Sequence, residues 1–308
     1  MAEHGLIYPR LKSDASPDGV AGHHGLTLNL ARAFPQYTPS EGSEAAWKQI
    51  VRDHAKSDRT VLISSEEFSR GRAAFRVDMV RLSQIASAFD RVTVVCCLRE
   101  QVSFLQATFQ EVSRNRPQLK PAFILNGALN RNDAAGLWVD WRPLYEHLLS
   151  GFSPSQLHFL DYHQACRREG GVIGTVLALG NITYRPASDG HAFNQSPAPL
   201  AYLMAMGMNA PEHHKSEIIA RLDGAIKRRF GDARPTCLWT RDQVAQIRAH
   251  FKAPNAELVA RIQQIQPDFT LSLPKLPDDM LYFDDVEPVQ EEILADAGLA
   301  TPGNDSRC

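Results

Sequence analysis

Two stretches of this sequence set reactive side chains beside apolar runs. In "VTVVCCLREQVSFLQATF" (92–109), seven apolar or small residues read as a buried strand, Arg99 follows at once, and a helical pattern begins behind it. A guanidinium at the carboxyl end of a parallel strand, next to helix-terminal N–H groups, suits an anion such as phosphate. A salt bridge to a nearby carboxylate is the alternative. In "TVLISSEEF" (60–68), a second apolar run ends in Ser64, Ser65, Glu66 and Glu67. The two serines finish the strand or contact a ligand. The two glutamates cap the next segment or pair with Arg70 or Arg72, unless one does chemistry. Two histidine pairs, His23–His24 and His213–His214, invite a metal reading. Adjacent histidines rarely both chelate, and no Cys or Asp spacing supports a site, so no metal is expected.

The elements that must position these residues come in two halves. Over the first half, helical and strand patterns alternate, the signature of a parallel α/β sheet. Helices are expected over 44–57, with Trp47, Ile50 and Val51 on one face. Further helices are expected over 73–90, with Val77, Val80, Ile85 and Phe89 apolar, and over 100–114. Strands are expected over 60–68, at the run before Arg99, and over 156–162 ("QLHFLDY"). The first 50 residues offer no strand, so the sheet is thin for its helices. The second half reads as helices. "SEIIARLDGAIKRRF" carries Ile219, Leu222, Ile226 and Phe230 at helical spacing, a core stripe, with "IKRRF" a solvated face. Thr240 and Gln243 form a capping box, and Asn255 reads as the N-cap of a separate helix.

The chain has 308 residues, 44% hydrophobic and 22% charged, with a net charge of −2. That composition describes a globular chain with no global basic field for nucleic acid. No run of about 18 apolar residues predicts a membrane span, and "MAEHGLIYPRL" has no signal core. Five cysteines without a C-x-x-C pair read as reduced thiols of a cytoplasmic protein.

Taken in order, "HGLIYPR", "HHGLTLNLA", "VLISSEEFSR", "VTVVCCLREQVSFLQATF", "FLDY", "FNQSP", "QIRAHFKAPNAELVARI" and "LYFDD" resemble the bacterial sulfotransferase-like P-loop proteins, relatives of enzymes that use 3′-phosphoadenosine-5′-phosphosulfate (PAPS). The resemblance runs from about Gly5 to Asp285. It implies an α/β P-loop-type parallel sheet flanked by helices, in one domain over 1–285. The sheet would lie in about 44–180, the helical portion in 181–285, and a tail over 286–308. It also implies that the family's opening strand and phosphate loop are absent here, through a late-assigned start or a truncated gene. No G-x-x-x-x-G-K-[ST] run occurs anywhere.

The same resemblance assigns roles. Arg99 would grip the 3′-phosphate of PAPS, and of PAP, the product. The family's helper serine, eight residues on, is alanine here. Ser103, one helical turn from Arg99, and Thr108 are the nearest hydroxyls. Ser64 and Ser65 would contact phosphate, and Arg185 is a further cofactor candidate. Asn194 and Ser196 match a family pair, although Asn194 also suits a helix cap. Glu66 stands where family enzymes place a catalytic histidine. A partly desolvated carboxylate can act as general base there. His23 or His24 would reach the acceptor pocket, or else cap a helix. The acceptor would be a hydroxyl of a glycan, lipid or small metabolite, with Phe123, Trp138 and Trp141 as pocket walls or core residues, and no bound metal is implied. A non-catalytic remnant or binding module is the second reading. A P-loop kinase-like nucleotide enzyme, with Glu66 or Glu67 near Mg²⁺, is the third.

Overall fold

A computed structural model of the chain describes residues 5–14, 23–27, 30, 37–114, 116, 119–184, 198–208, 212–232 and 234–299, with backbone alone at 212 and 213. In chain order the elements are β1 (Leu6–Ile7), α1 (Ser43–His54), β2 (Thr60–Val61), α2 (Met79–Ala86), β3 (Val94–Leu98), α3 (Gln101–Arg114), α4 (Pro121–Arg131), β4 (Asp133–Ala134), β5 (Leu137–Trp138), α5 (Trp141–Leu149), β6 (Leu157–Asp161), α6 (Tyr162–Cys166), α7 (Gly171–Leu179), α8 (Pro199–Met206), α9 (Glu212–Phe230), α10 (Arg241–Ile262), α11 (Phe283–Val286) and α12 (Gln290–Asp296). The fold is mixed α/β with small parallel sheets. β1 pairs with β2 in parallel, Leu6 opposite Thr60. β3 pairs with β6 in parallel over five residues, from Val94 opposite Leu157 to Leu98 opposite Asp161. No helix among the described residues is long and apolar enough to cross a membrane.

Several sequence expectations need correcting. The first 50 residues do supply a strand, β1, but two residues are too few to show a period of two. The helix expected over 73–90 forms only from Met79, where Asp78 caps it by accepting the Arg81 N–H at 3.0 Å. Val80, assigned to its apolar face, is 49% exposed. Asn255 does not begin a separate helix, because α10 runs unbroken from Arg241 through Pro254 to Ile262. The Thr240–Gln243 box does form, by reciprocal bonds of 3.0 and 3.2 Å.

The chain divides into two compact units. The first comprises Met1–Arg99, Gly136–Gly190 and Ala253–Ser272. Its α1 buries Ala46, Trp47 and Ile50 against Leu26, with Val61, Ile63, Leu82, Ile85 and Phe89 packed around them. Beside β6, Phe159 lies between the rings of Tyr145 and Phe269 at 5.5 and 6.3 Å. Gly151 permits a close approach: a Cβ there would stand 2.1 Å from the Met79 carbonyl oxygen.

The second unit comprises Glu100–Ala135, His191–Lys252 and Leu273–Cys308. Its core joins α8, α9 and α12. Leu222 and Ile226 are buried in it, and Ile219 and Phe230 flank it, as the helical stripe predicts. Trp239 is fully buried and donates its Nε1–H to the Val102 carbonyl at 3.3 Å.

Candidate functional site

The first unit brings the chemically capable residues to the carboxyl ends of its parallel strands. Past β2 the chain runs through Ser64 and Ser65 into a 3-10 turn, Glu66–Ser69. Ser65 caps that turn, its Oγ accepting the Glu67 N–H at 3.1 Å. Glu67 is 6% exposed and receives Arg70 bidentately, Nε to Oε2 at 3.1 Å and Nη2 to Oε1 at 2.7 Å. Of the two expected roles for this glutamate pair, Glu67 therefore takes the ion pair. Glu66 is exposed, so it is not the partly desolvated carboxylate that the expected base role called for.

Against this strand end lies the turn that carries the histidine pair. His23 donates its backbone N–H to the Ser64 carbonyl at 2.9 Å. Its ring Nδ1 accepts the Ser64 N–H at 3.0 Å. Its Nε2 bonds the Pro9 carbonyl at 2.8 Å, which can only accept, so the ring proton sits on Nε2. The ring is fully buried against Tyr8, and burial holds its pKa below the ordinary histidine value. Both nitrogens are thus committed to backbone, which makes His23 a structural bridge between the ends of β1 and β2. His24 differs. It is half-buried, its Nδ1 lies 3.0 Å from Ser65 Oγ, and its ring tilts against Tyr37 at 5.1 Å. Two consecutive histidines therefore face two consecutive serines. Sequence reasoning treated the four residues separately, since nothing local links positions 41 apart.

The turn is pinned from α1. Ser43 Oγ donates to the Gly25 carbonyl at 2.5 Å, and Trp47 Nε1 donates to the Leu26 carbonyl at 2.8 Å. Gly25 is required for space, because a Cβ would fall 1.9 Å from the Tyr37 carbonyl oxygen.

At the other parallel pair, Arg99 follows β3 directly and Tyr162 follows β6. The guanidinium lies over the Tyr162 ring at 4.4 Å, a cation–π contact. Burial raises the Tyr162 pKa while Arg99 pulls it the other way. Asp161 fixes this strand end, accepting the backbone N–H groups of Gln164 and Ser272, each at 2.6 Å. Ser103 and Thr108 belong to the second unit. Ser103 Oγ donates to the Glu100 carbonyl at 2.9 Å, and Thr108 is 7% exposed. Arg185, Asn194, Ser196 and the His213 side chain lie outside the described residues.

A cleft of about 690 Å³ in the first unit is the other candidate. Trp138, one of the aromatic residues singled out in the sequence, lines it with Arg76 over its ring at 5.2 Å. Trp141 is buried core, and Phe123 is 50% exposed on α4. His147 sits 5.2 Å from Trp138, and burial, aided by Arg76, pushes its pKa down to about 4. The other cleft arginines are neutralised. Arg142 grips Asp140 at 2.7 Å and Glu257 at 2.5 Å, and Arg261 pairs with Glu146. Cations and carboxylates alternate along this rim, while the two parallel pairs end separately, β3–β6 with Arg99 and Asp161, and β1–β2 with Ser64, Ser65, the Glu66–Glu67 turn and His24. Among the described residues, no group of three or more His, Cys, Asp or Glu side chains is placed to hold a metal ion. Set against known proteins, the chain matches no family model, no curated protein and no solved structure.

Proposed function

We propose that this chain binds a 3′-phosphoadenosine nucleotide at the strand ends of its first unit and transfers a sulfuryl group from PAPS to a hydroxyl of a glycan, lipid or small metabolite. One observation carries the reading: Arg99, held over Tyr162 where the parallel β3 and β6 terminate. Open α/β sheets bind ligands at this edge, and a guanidinium recognises phosphate by charge-assisted bonds. The residues present fit one phosphate, through Arg99. Ser64 is exposed at the end of the other parallel pair, after β2. No Walker-type glycine–lysine loop exists in the sequence to cradle a second phosphate. Sulfuryl transfer rests mainly on positioning and on stabilising charge, plus a base for the acceptor. PAPS would supply the sulfuryl group. Glu66 would take the acceptor's proton, and Arg99 would anchor the nucleotide.

Titration of PAP into the full chain by calorimetry tests this reading. Saturable binding is expected, weakened by about 1.5–3 kcal/mol in Arg99→Ala, the worth of a hydrogen bond to a charged group. Equal affinity in that variant removes Arg99 from the site. A folded chain that binds no PAP overturns the reading in favour of a non-catalytic binding module.

A further inference from the structure

We propose that Ser65 is a positioning residue: it holds His24 as the Nε2–H tautomer, so that the imidazole donates a hydrogen bond to an oxyanion at the end of β2. The assignment follows from counting donors. Ser65 Oγ already accepts the Glu67 N–H at 3.1 Å. The oxygen has room to accept a second bond, but among the described residues the hydroxyl's one proton has no acceptor other than His24 Nδ1, 3.0 Å away, and on that ground the nitrogen is assigned as the acceptor. A neutral imidazole has one N–H, so an accepting Nδ1 places it on Nε2. His23, next in the chain, shows the same pattern in a fixed form, with Nδ1 accepting from Ser64 and Nε2 bonded to the Pro9 carbonyl. The difference is that His24 Nε2 takes no hydrogen bond among the described residues. One histidine spends its outward donor on the backbone, and the other keeps it for a ligand.

The ring is also held in place, as an effective donor must be. Tyr37 flanks it, Gly25 allows the turn to approach Tyr37, and Ser43 and Trp47 of α1 fasten the following carbonyls. The arrangement separates two hydrogen-bonding roles at one strand end. His24 offers a proton donor, and Glu66, two residues past Ser64 and exposed, offers an acceptor. The ligand chemistry that suits the donor is a sulfuryl or phosphoryl oxygen. This inference rests on the sulfuryl-transfer reading for the identity of the anion, and not for the state of the ring.

The test uses the full chain labelled with ¹⁵N-histidine. Long-range ¹H–¹⁵N spectra at neutral pH should show His24 with Nδ1 unprotonated and Nε2 protonated. Inorganic sulfate, and separately PAP, should then move the Nε2 signal saturably. Ser65→Ala should mix the two tautomers and weaken sulfate binding by roughly 3- to 10-fold, the worth of one neutral hydrogen bond. Ser65→Thr, which keeps the hydroxyl, should restore both. The wild-type tautomer needs no variant, so it decides the matter even if Ser65→Ala fails to fold. A proton on Nδ1, or an Nε2 signal unmoved at saturating sulfate and PAP, overturns the proposal. PAP binding that depends on Arg99 but leaves the His24 signal still sinks this inference alone. Sulfate at His24 without PAP binding sinks the sulfuryl-transfer reading alone.

Discussion

β3 and β6 lie side by side in one two-stranded sheet, yet they live in different surroundings. β6 ("LHFLD") is buried at four of its five positions. β3 ("VVCCL") is the more apolar strand, but it buries only Leu98 and leaves Cys97 exposed. Their outer edges differ too. On the side away from β3, Phe159 exchanges two hydrogen bonds with the Gln266 side chain, N–H to Oε1 at 3.0 Å and Nε2–H to the carbonyl at 2.9 Å. That amide imitates a neighbouring strand. The far edge of β3 joins no ladder among the described residues. Apolar composition therefore states what a strand is able to bury, and the elements around it decide what it does bury.

The largest expected effect is on β6. Phe159→Ala should cost about 4 kcal/mol, because a fully enclosed aromatic leaves a cavity between two rings. Val94→Ala, on half-buried β3, should cost about 1 kcal/mol. Urea unfolding measures both, and equal losses would break the comparison. Next comes the edge. Gln266→Ala leaves both backbone groups of Phe159 without their partner and should cost about 1–3 kcal/mol, with faster amide exchange at Phe159. Unchanged exchange there would mean that Gln266 is an onlooker.

The smallest effect is graded by pH. Burial lowers the pKa of His23, His147 and His158, all in the first unit, and that of His147 reaches about 4. Above the ordinary histidine value both folded and unfolded chains hold these rings neutral. Below it the unfolded chain takes up protons that the folded chain refuses. Stability should therefore fall gradually as pH drops from about 6.5 toward 4. His147→Gln should flatten the slope of stability against pH over that window. A slope that does not change would remove His147 from the account.

What could be read in the sequence was local. The stripe of α9 and the Thr240–Gln243 box depend on residues three and four apart, and both stand as expected. Arg99 does follow a strand, because an abrupt end to an apolar run is visible in one dimension. Asn255 misled, since an asparagine just before an apolar helical stripe suits an N-cap, and here one helix runs straight through it. The exposure of β3 could not be read, because no strand records what stands beside it. The histidine–serine pairing was equally hidden. Neither partner carries a local signal of the other, and "GHHGL" and "SSEE" both make sense alone as caps and turns.

That pairing has a kinetic side. Its hydrogen bonds close a loop of 41 residues with α1 inside it. Closing such a loop costs roughly 3 kcal/mol of chain entropy before any contact rewards it. Both rungs share that one cost, so they form and open together. An opening of this loop would therefore part His23 from Ser64 and His24 from Ser65 together.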